Sequence, residues 1–299
     1  MGRVTERRRV LRIRDGAVST RPDTLVAEEP LEIRLNGKPL AITMRTPGDD
    51  FALATGFLVS EGVLGAAEEL ANIVYCTGAT DVGDPPAVAG RGSNTYNVVD
   101  VRLAPGVPLP DIALERNVYT TSSCGLCGKA SLDAVRTTAR WGIENPEDPD
   151  DPAGPRVRLE PSVLSSLPDT LRASQRVFER TGGLHAAALF TSDGELLDVR
   201  EDVGRHNAVD KLVGRALQQG GLPLRDAVLM VSGRASFELA QKAVMAGIPV
   251  LAAVSAPSSL AVDLAAETGL TLVGFLRGSS MNVYAGEHRL ALRTTAGRA

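Results

Sequence analysis

The chain has 299 residues, of which 43% are hydrophobic, 23% charged and 4% aromatic, and its formal net charge is −4. This composition is typical of a globular protein and excludes the broad basic surface that binds nucleic acid. No apolar run reaches the roughly 18 residues that a membrane-spanning helix needs. We therefore expect a cytoplasmic protein that binds neither nucleic acid nor a membrane.

The N-terminal region, residues 1–118, has the patterns of a small β-rich domain. Apolar and polar residues alternate at 31–35 and 40–44, and Asn36-Gly37 between them is a typical hairpin turn. The arginine-rich start is not followed by the apolar stretch of a secretory signal. The other elements predicted in this region are a helix at 51–58 and strands at 73–76 and 95–101.

A middle segment, residues 119–168, combines a cysteine-containing loop, a helix predicted at 130–141 and an acidic, proline-rich linker from about Glu144 to Pro155. Acid and proline alternate in the linker, which favours neither helix nor strand. We assign it no function.

The remaining residues, 169–299, have the pattern of an α/β domain. Its apolar strands alternate with helices, which predicts a sheet covered on both faces, with parallel strands and right-handed crossovers. Strands predicted at 186–190 and 196–199 flank Ser192-Asp193-Gly194 as a hairpin. The other predicted strands are 227–231, 249–254, 270–275 and one beginning at 282, and the predicted helices are 206–217, 237–246 and 260–268.

Cys124 and Cys127, two of the three cysteines in the chain, lie in a small glycine-containing loop. Structural zinc needs four ligands, and Cys76 with three histidines offers no second paired motif. A deaminase-type zinc site is excluded because Ala186-Ala187 follows His185 and because Ser123, rather than proline, precedes Cys124. A redox dithiol and a persulfide carrier both remain, and the helix predicted after the pair would favour a reactive thiolate.

Two serine-rich loops are candidates for binding an anionic ligand. Residues 232–236 and 255–259 each follow a predicted strand and open a predicted helix. Hydroxyl groups, backbone N–H groups and a helix N-terminus are the elements of a phosphate site, and open α/β sheets bind ligands at this edge. Arg234 and Arg277 could add bidentate phosphate contacts. A serine at a helix start is also an ordinary cap, so each loop alone would favour that interpretation.

Five motifs in chain order resemble the formate dehydrogenase accessory sulfurtransferases of the FdhD type, over about residues 47–287. The motifs are TSSCGLCGKAS at 121–131, EDVGRHNAVDK at 201–211, SGRASFE at 232–238, SAPSSLA at 255–261 and GFLRG at 274–278. The resemblance implies that the protein takes sulfur from a cysteine desulfurase as a persulfide. The recipient would be the bis(molybdopterin guanine dinucleotide) molybdenum cofactor, bound as a substrate before it enters formate dehydrogenase.

The resemblance also assigns roles to residues. Cys124 would carry the persulfide and Cys127 would assist, and no resident metal is expected. Phe275 could stack on a base or fill the core. The predicted cofactor-binding residues are Phe275, Leu276, Arg277, Gly278, Ser279 and Ser280.

The 201–211 motif leaves one role open. His206 could contact a phosphate, a pterin or the persulfide, or it could be structural. Asp202, Arg205 and Lys211 are expected to orient the loop, and Cys76 is expected in the core.

We therefore predict an α/β fold with a C-terminal mixed α/β sandwich similar to the cytidine-deaminase-like fold and a smaller β-rich N-terminal domain. The leading function is a sulfurtransferase, and the family resemblance implies a homodimer. The alternatives are a non-catalytic chaperone that binds the molybdenum cofactor and a dithiol redox enzyme.

Overall fold

In the computed structural model, which describes residues 3–76, 96–108, 128–143 and 157–292, the strands form a two-stranded hairpin, a four-stranded sheet and a six-stranded sheet. The hairpin consists of β1 (Thr5–Arg14) and β2 (Ala17–Val26), joined by a turn in which Asp15 and Gly16 both have positive φ. This turn type matches the right-handed twist of the two strands.

The four-stranded sheet confirms the strands predicted in the N-terminal region. Asn36 and Gly37 turn the chain with φ of 50° and 81°, as the type of hairpin turn predicted from the sequence requires. The strand order is β4-β3-β6-β5, and β3 and β6 are parallel. The strands are β3 (Glu29–Leu35), β4 (Lys38–Arg45), β5 (Leu70–Tyr75) and β6 (Val98–Leu103).

The six-stranded sheet has the order β12-β11-β10-β9-β7-β8. Only β9, β10 and β11 are parallel neighbours, so the prediction of a parallel sheet holds only for the centre. The outer strands are joined in the hairpins β7–β8, as predicted, and β11–β12, and both connections are too short for a crossover. The strands are β7 (His185–Phe190), β8 (Leu196–Asp202), β9 (Val228–Val231), β10 (Val250–Ala253), β11 (Thr271–Arg277) and β12 (Ser280–Ala285).

Helices cover both faces of this sheet, as predicted. On one face, Leu229 and Leu251 belong to a core shared with the helices that follow the strands and with the four-stranded sheet. On the other face, Met230 and Ala252 pack with Leu164 and Leu167 of a helix that was not predicted from the sequence. The helices are α1 (Asp50–Ser60), α2 (Gly128–Thr138), α3 (Pro161–Ser174), α4 (Arg176–Thr181), α5 (Arg205–Gln218), α6 (Phe237–Met245) and α7 (Ser259–Thr268).

Two glycines allow α1 and α5 to cross in backbone contact. A Cβ atom on Gly56 would lie 1.9 Å from the carbonyl oxygen of Asp210, and one on Gly214 would lie 1.8 Å from that of Ala52. Neither position has room for a side chain. This crossing packs the N-terminal α1 directly against the helix that follows β8.

The architecture is thus a mixed α/β fold, as predicted, while the cytidine-deaminase-like likeness and the domain boundaries remain predictions. In the ranges that the structure describes, every helix is too short or too polar to cross a membrane.

Candidate functional site

Polar loops gather at one edge of the six-stranded sheet, where β9, β10 and β11 end. Ala187 pairs with Val231, so His185 at the start of the antiparallel β7 lies just beyond the end of β9. His185 in turn pairs with Asp202, so β8 also ends at this edge. We call this region the strand-end edge; it contains the loops after β8, β9, β10 and β11.

The two serine loops lie side by side at the strand-end edge, as their positions after β9 and β10 predict. The Ala235 N–H donates to the carbonyl of Ala256 at 3.2 Å, and the Ser258 N–H donates to the carbonyl of Ala235 at 3.0 Å. The Phe275 N–H donates to the carbonyl of Ser255 at 3.2 Å, which attaches the end of β11 to the pair. These backbone bonds make the three segments one continuous surface.

The two serine loops use their last hydroxyl groups differently. Ser258 caps α7, because its Oγ accepts a hydrogen bond from the Ala261 N–H at 3.3 Å. Ser236 stands at the equivalent position before α6 but makes no such bond. Its Oγ lies 3.2 Å from Nε2 of His206. The cap interpretation is therefore correct for one loop, and the other loop contacts the 201–211 motif.

The six predicted cofactor-binding residues form the β11–β12 turn. Leu276 is buried in the core, whereas the other five are exposed. Phe275 is 40% exposed and has a φ of 51°, a left-handed conformation that costs a residue with a Cβ about 1–2 kcal/mol. It therefore does not fill the core. Backbone strain of this kind clusters at binding sites and motivates a functional hypothesis.

The predicted catalytic residues, Cys124 and Cys127, lie outside the described residues. The helix expected after them is present, since α2 begins at Gly128, directly after Cys127 in the chain. The third cysteine, Cys76, lies just past β5 and is only partly buried, so its expected place in the core is wrong. Burial raises the pKa of the Cys76 thiol, which disfavours its thiolate form at neutral pH.

The loop after β8 is organised by the fully buried carboxylate of Asp202. Its Oδ1 accepts hydrogen bonds from the Gly204 N–H at 2.8 Å and the Asn207 side-chain amide at 2.9 Å. Its Oδ2 accepts from the Thr46 N–H at 3.1 Å and pairs with Nζ of Lys211 at 2.7 Å. Asp202 and Lys211 therefore orient this loop, as predicted, and tie it to the turn that precedes α1.

A cavity of about 830 Å³ opens beside this loop. The hairpin β3–β4, α1, the loop after β8 and α6 form its walls, and His185 also lines it. Its volume is in the range of small-molecule sites. None of the six residues from Phe275 to Ser280 lines the cavity, so the turn and the cavity are two separate candidate surfaces.

Two ion pairs line the cavity wall, and neither was predicted from the sequence. Lys242 of α6 pairs with Asp210 of α5 at 2.6 Å, and Asp210 also lies 2.9 Å from the Ser60 hydroxyl. His206 Nε2 lies 3.2 Å from the carboxylate of Glu238. In the sequence, each of these residues is only a polar position on a helix whose other positions are mostly apolar. Such a pattern does not show which residue will be its partner.

Two titratable groups on this wall have pKa values below their ordinary values. The hydrogen bond from His206 lowers the pKa of Glu238 to about 2. Burial lowers the pKa of His185, and the nearby positive charges of Arg205 and His206 lower it further. His185 is therefore favoured in its neutral form at neutral pH, with one ring nitrogen as donor and the other as acceptor.

The fold and the strand-end edge together define a mixed α/β protein whose polar loops gather where its parallel strands end. The model of the FdhD/NarQ family matches residues 26–291. The chain therefore belongs to the FdhD/NarQ family.

Proteins named sulfur carrier protein FdhD are similar to this chain over nearly its whole length. The protein from Streptomyces avermitilis is 81% identical over 296 residues, which cover 99% of both chains. That from Mycobacterium tuberculosis is 56% identical over 290 residues, or 97% of this chain and 100% of its own.

A solved structure from Desulfotalea psychrophila, provisionally described as a formate dehydrogenase accessory protein, has a similar fold. It superposes with a TM-score of 0.70 and covers 96% of this chain and 100% of its own. Its sequence identity is 23%, so this likeness concerns the fold alone.

Proposed function

We propose that the protein is a sulfur carrier that serves formate dehydrogenase. The observation that carries the proposal is the 81% identity to a protein named sulfur carrier protein FdhD over 99% of both chains. The chain also contains the cysteine pair that such a carrier needs, Cys124 and Cys127. In this proposal the protein acts in the cytoplasm as a homodimer.

The sulfur donor in this proposal is a persulfide on a cysteine desulfurase. The Cys124 thiolate attacks the outer sulfur of that persulfide, a new S–S bond forms on Cys124, and the desulfurase cysteine leaves as a thiolate. No external oxidant is needed, because the sulfane sulfur moves between two thiols without a net change in redox state. Cys127 assists as a relay or resolving thiol.

The proposed recipient of the sulfur is the bis(molybdopterin guanine dinucleotide) molybdenum cofactor, which binds as a substrate. The chemistry of the strand-end edge fits such a ligand. The exposed ring of Phe275 is available to stack on a guanine, and the exposed Arg277 and the serine loops can contact phosphates. Leu276 is buried, so its side chain is not available to a ligand.

Mass spectrometry after incubation with a cysteine desulfurase and cysteine tests the carrier step. We expect the mass of one added sulfur atom on the peptide that contains Cys124. Cys124→Ala should abolish the addition while guanine-nucleotide binding persists, and Cys76→Ala is the matched control that should keep it. A folded protein without sulfur on Cys124 would contradict the proposal.

A non-catalytic molybdenum-cofactor chaperone is the second candidate. It is favoured by the strand-end edge, whose loops are positioned by backbone hydrogen bonds that involve neither Cys124 nor Cys127. A Cys124→Ala/Cys127→Ala double variant distinguishes the two candidates. If it still activates formate dehydrogenase, the protein is a chaperone; if activation is lost while the cofactor still binds, it is a carrier.

A further inference from the structure

The hairpin β1–β2 carries an exposed apolar patch near its tip. Leu11, Ile13 and Val18 are 66%, 68% and 62% exposed, respectively. Ile13 and Val18 are directly opposite each other in the strand register, and Leu11 is two residues before Ile13, so all three share one face of the hairpin. Single exposed apolar residues are ordinary on a protein surface, whereas a contiguous group of them indicates a contact site.

The base of the hairpin is attached to the rest of the protein. β2 packs against α4, and the side chain of Val26, the last residue of β2, lies beside Gly183. The apolar patch is at the other end of the hairpin. Because a two-stranded hairpin alone is at best marginally stable in water, a partner that covers the patch would also stabilise the hairpin.

The hairpin is basic, in contrast to the rest of the chain. Residues 3–26 contain seven arginines and three acidic residues, which gives a net charge of +4. The whole chain has a net charge of −4, so the other residues together carry −8. The family model begins to match at residue 26, so this basic segment precedes the part of the chain that defines the family.

The face that carries the patch has basic residues and no acidic ones. Arg7 and Arg9 share this face with the patch, because they alternate with the residues of the opposite face. The acidic residues Glu6 and Asp23 are on that opposite face, and Asp15 lies in the turn. The face with the patch therefore matches a partner that is anionic at its surface and apolar beneath it.

The arginines on the opposite face favour a lipid surface over an acidic protein. Arg12, Arg14 and Arg21 lie behind the patch, and their register partners are uncharged. A protein docked on the patch would leave these three charges in solvent. On a membrane, long arginine side chains can bend around either edge of a two-stranded hairpin and reach the lipid phosphates.

We propose that the β1–β2 hairpin binds the surface of an anionic lipid membrane, with Leu11, Ile13 and Val18 inserted among the head groups and the arginines in contact with lipid phosphates. Apolar insertion together with attraction to anionic lipids is a common way to bind a membrane without spanning it. The expectation that the protein binds no membrane depends on the lack of an apolar spanning segment, which does not bear on surface contact. The inference does not rest on sulfur transfer.

Co-sedimentation of the full-length protein with vesicles tests the proposal. Phosphatidylcholine vesicles that contain about one third phosphatidylglycerol should bind the protein. Vesicles of phosphatidylcholine alone should bind it at least about tenfold more weakly. Raising the salt concentration from about 0.1 M to about 1 M shortens the screening length from about 10 Å to about 3 Å and should weaken binding. No binding to the anionic vesicles, or equal binding to both kinds, would overturn the proposal.

The variant Leu11→Ser/Ile13→Ser removes most of the apolar patch without changing the charge. Its matched control is Leu197→Ser/Leu292→Ser, which removes two exposed leucines elsewhere. We expect the hairpin variant to bind anionic vesicles at least about tenfold more weakly and the control to bind like wild type. If the hairpin variant bound as well as wild type, charge alone would be recognised, as an acidic protein surface could also do, and the proposal would be refuted.

The variants Arg7→Gln/Arg9→Gln and Arg158→Gln/Arg215→Gln test the charged part of the contact. Each removes two positive charges from exposed positions, so both should fold like wild type. We expect only the hairpin variant to weaken vesicle binding, by about tenfold or more. Equal weakening by both would mean a general charge effect and would contradict a defined binding face.

Light scattering of wild type and Leu11→Ser/Ile13→Ser excludes a second copy of the chain as the partner. The two proteins should have the same molar mass in solution. A change from dimer to monomer in the variant would mean that another copy covers the patch, and the proposal would then be wrong.

Discussion

The loop after β8 and the turn after β11 end at the same edge of the six-stranded sheet but are stabilised in different ways. The first is fixed from within, by a buried carboxylate that accepts hydrogen bonds from both sides of the loop. The second is exposed at five of its six residues and is held by strand register and by Leu276. One segment is therefore a rigid wall, and the other presents its side chains to solvent.

Asp202→Ala should give the largest loss of stability. The substitution leaves Lys211, which is 2% exposed, buried without its counterion and removes the acceptor for three further donors. Removing one partner of a buried ion pair costs about 3–5 kcal/mol. Urea unfolding followed by circular dichroism measures this loss.

The matched change in the turn is Arg277→Ala, which removes an exposed side chain. It should change the free energy of unfolding by no more than about 0.5 kcal/mol. If Asp202→Ala and Arg277→Ala lowered the free energy of unfolding equally, the loop after β8 would not be more strongly stabilised than the turn after β11.

Gly214→Ala should produce the next largest effect, because it acts on the helix that continues the rigid loop. The new methyl group would lie 1.8 Å from the carbonyl oxygen of Ala52, so α1 and α5 would have to separate. Overpacking of this kind costs about 1–3 kcal/mol. Gly142→Ala is the control, since a Cβ there has no neighbour within 4 Å; an equal loss in both variants would argue against a tight crossing.

The sequence predicted the elements whose signals are local. Asn36-Gly37 predicted the β3–β4 hairpin, and the alternation of apolar strands with helices located most of the six-stranded sheet. Helix α3 was missed because Pro168 lies inside it and its serines resemble a loop. The antiparallel hairpin β7–β8 was also predicted, whereas the antiparallel pairing of β7 with β9 was not, because it depends on contacts between distant segments.

The candidate site was less predictable for the same reason. Ser60, Asp210 and Lys242 come together from three helices far apart in the chain. The different roles of Ser236 and Ser258 could not be derived either, because both precede a helix in the same way. Which of them caps its helix depends on whether a histidine from another motif is within reach.

Ser258→Ala and Ser236→Ala test this difference between the two serines, with smaller expected effects on stability than Asp202→Ala and Gly214→Ala. Ser258→Ala removes a helix cap and should cost about 1 kcal/mol. Ser236→Ala removes no cap and should instead move the NMR signal of the His206 imidazole, which Ser258→Ala should leave unchanged. Equal shifts of His206 in the two variants would contradict these assignments.

A smaller effect depends on pH and concerns Glu238, which lies beside the rigid loop. Its pKa in the folded protein is about 2, lower than the ordinary value of 4.5, because of the hydrogen bond from His206. The ionised carboxylate therefore stabilises the fold fully above pH 4.5, and this contribution is lost as the pH falls toward 2. Because the side chain is 45% exposed, the contribution should stay below about 1 kcal/mol.

Unfolding of wild type and Glu238→Gln at a series of pH values measures this contribution. The difference in their free energies of unfolding should be constant above pH 4.5 and decrease below it. A difference that increases as the pH falls would have the wrong sign for a lowered pKa.

Phe275→Gly should have the smallest effect on stability, although it removes a large aromatic side chain. Phe275 is exposed and has a φ of 51°, so glycine relieves about 1–2 kcal/mol of backbone strain. It adds about 0.5–1 kcal/mol of chain entropy to the unfolded state. The loss of the buried part of the ring adds about 1 kcal/mol to the cost. The net change should therefore be small, whereas Leu276→Ala, one residue further on, should cost about 2–5 kcal/mol because Leu276 is buried.

Phe275 thus occupies a strained position in which 40% of its surface is exposed. The exposed part of the ring is available to a ligand that stacks on it, so Phe275→Gly should lower the affinity for guanosine diphosphate, measured by calorimetry, while the melting temperature changes little. If the affinity were unchanged, the turn would be exposed for another reason, and the guanine would have to bind elsewhere along the strand-end edge.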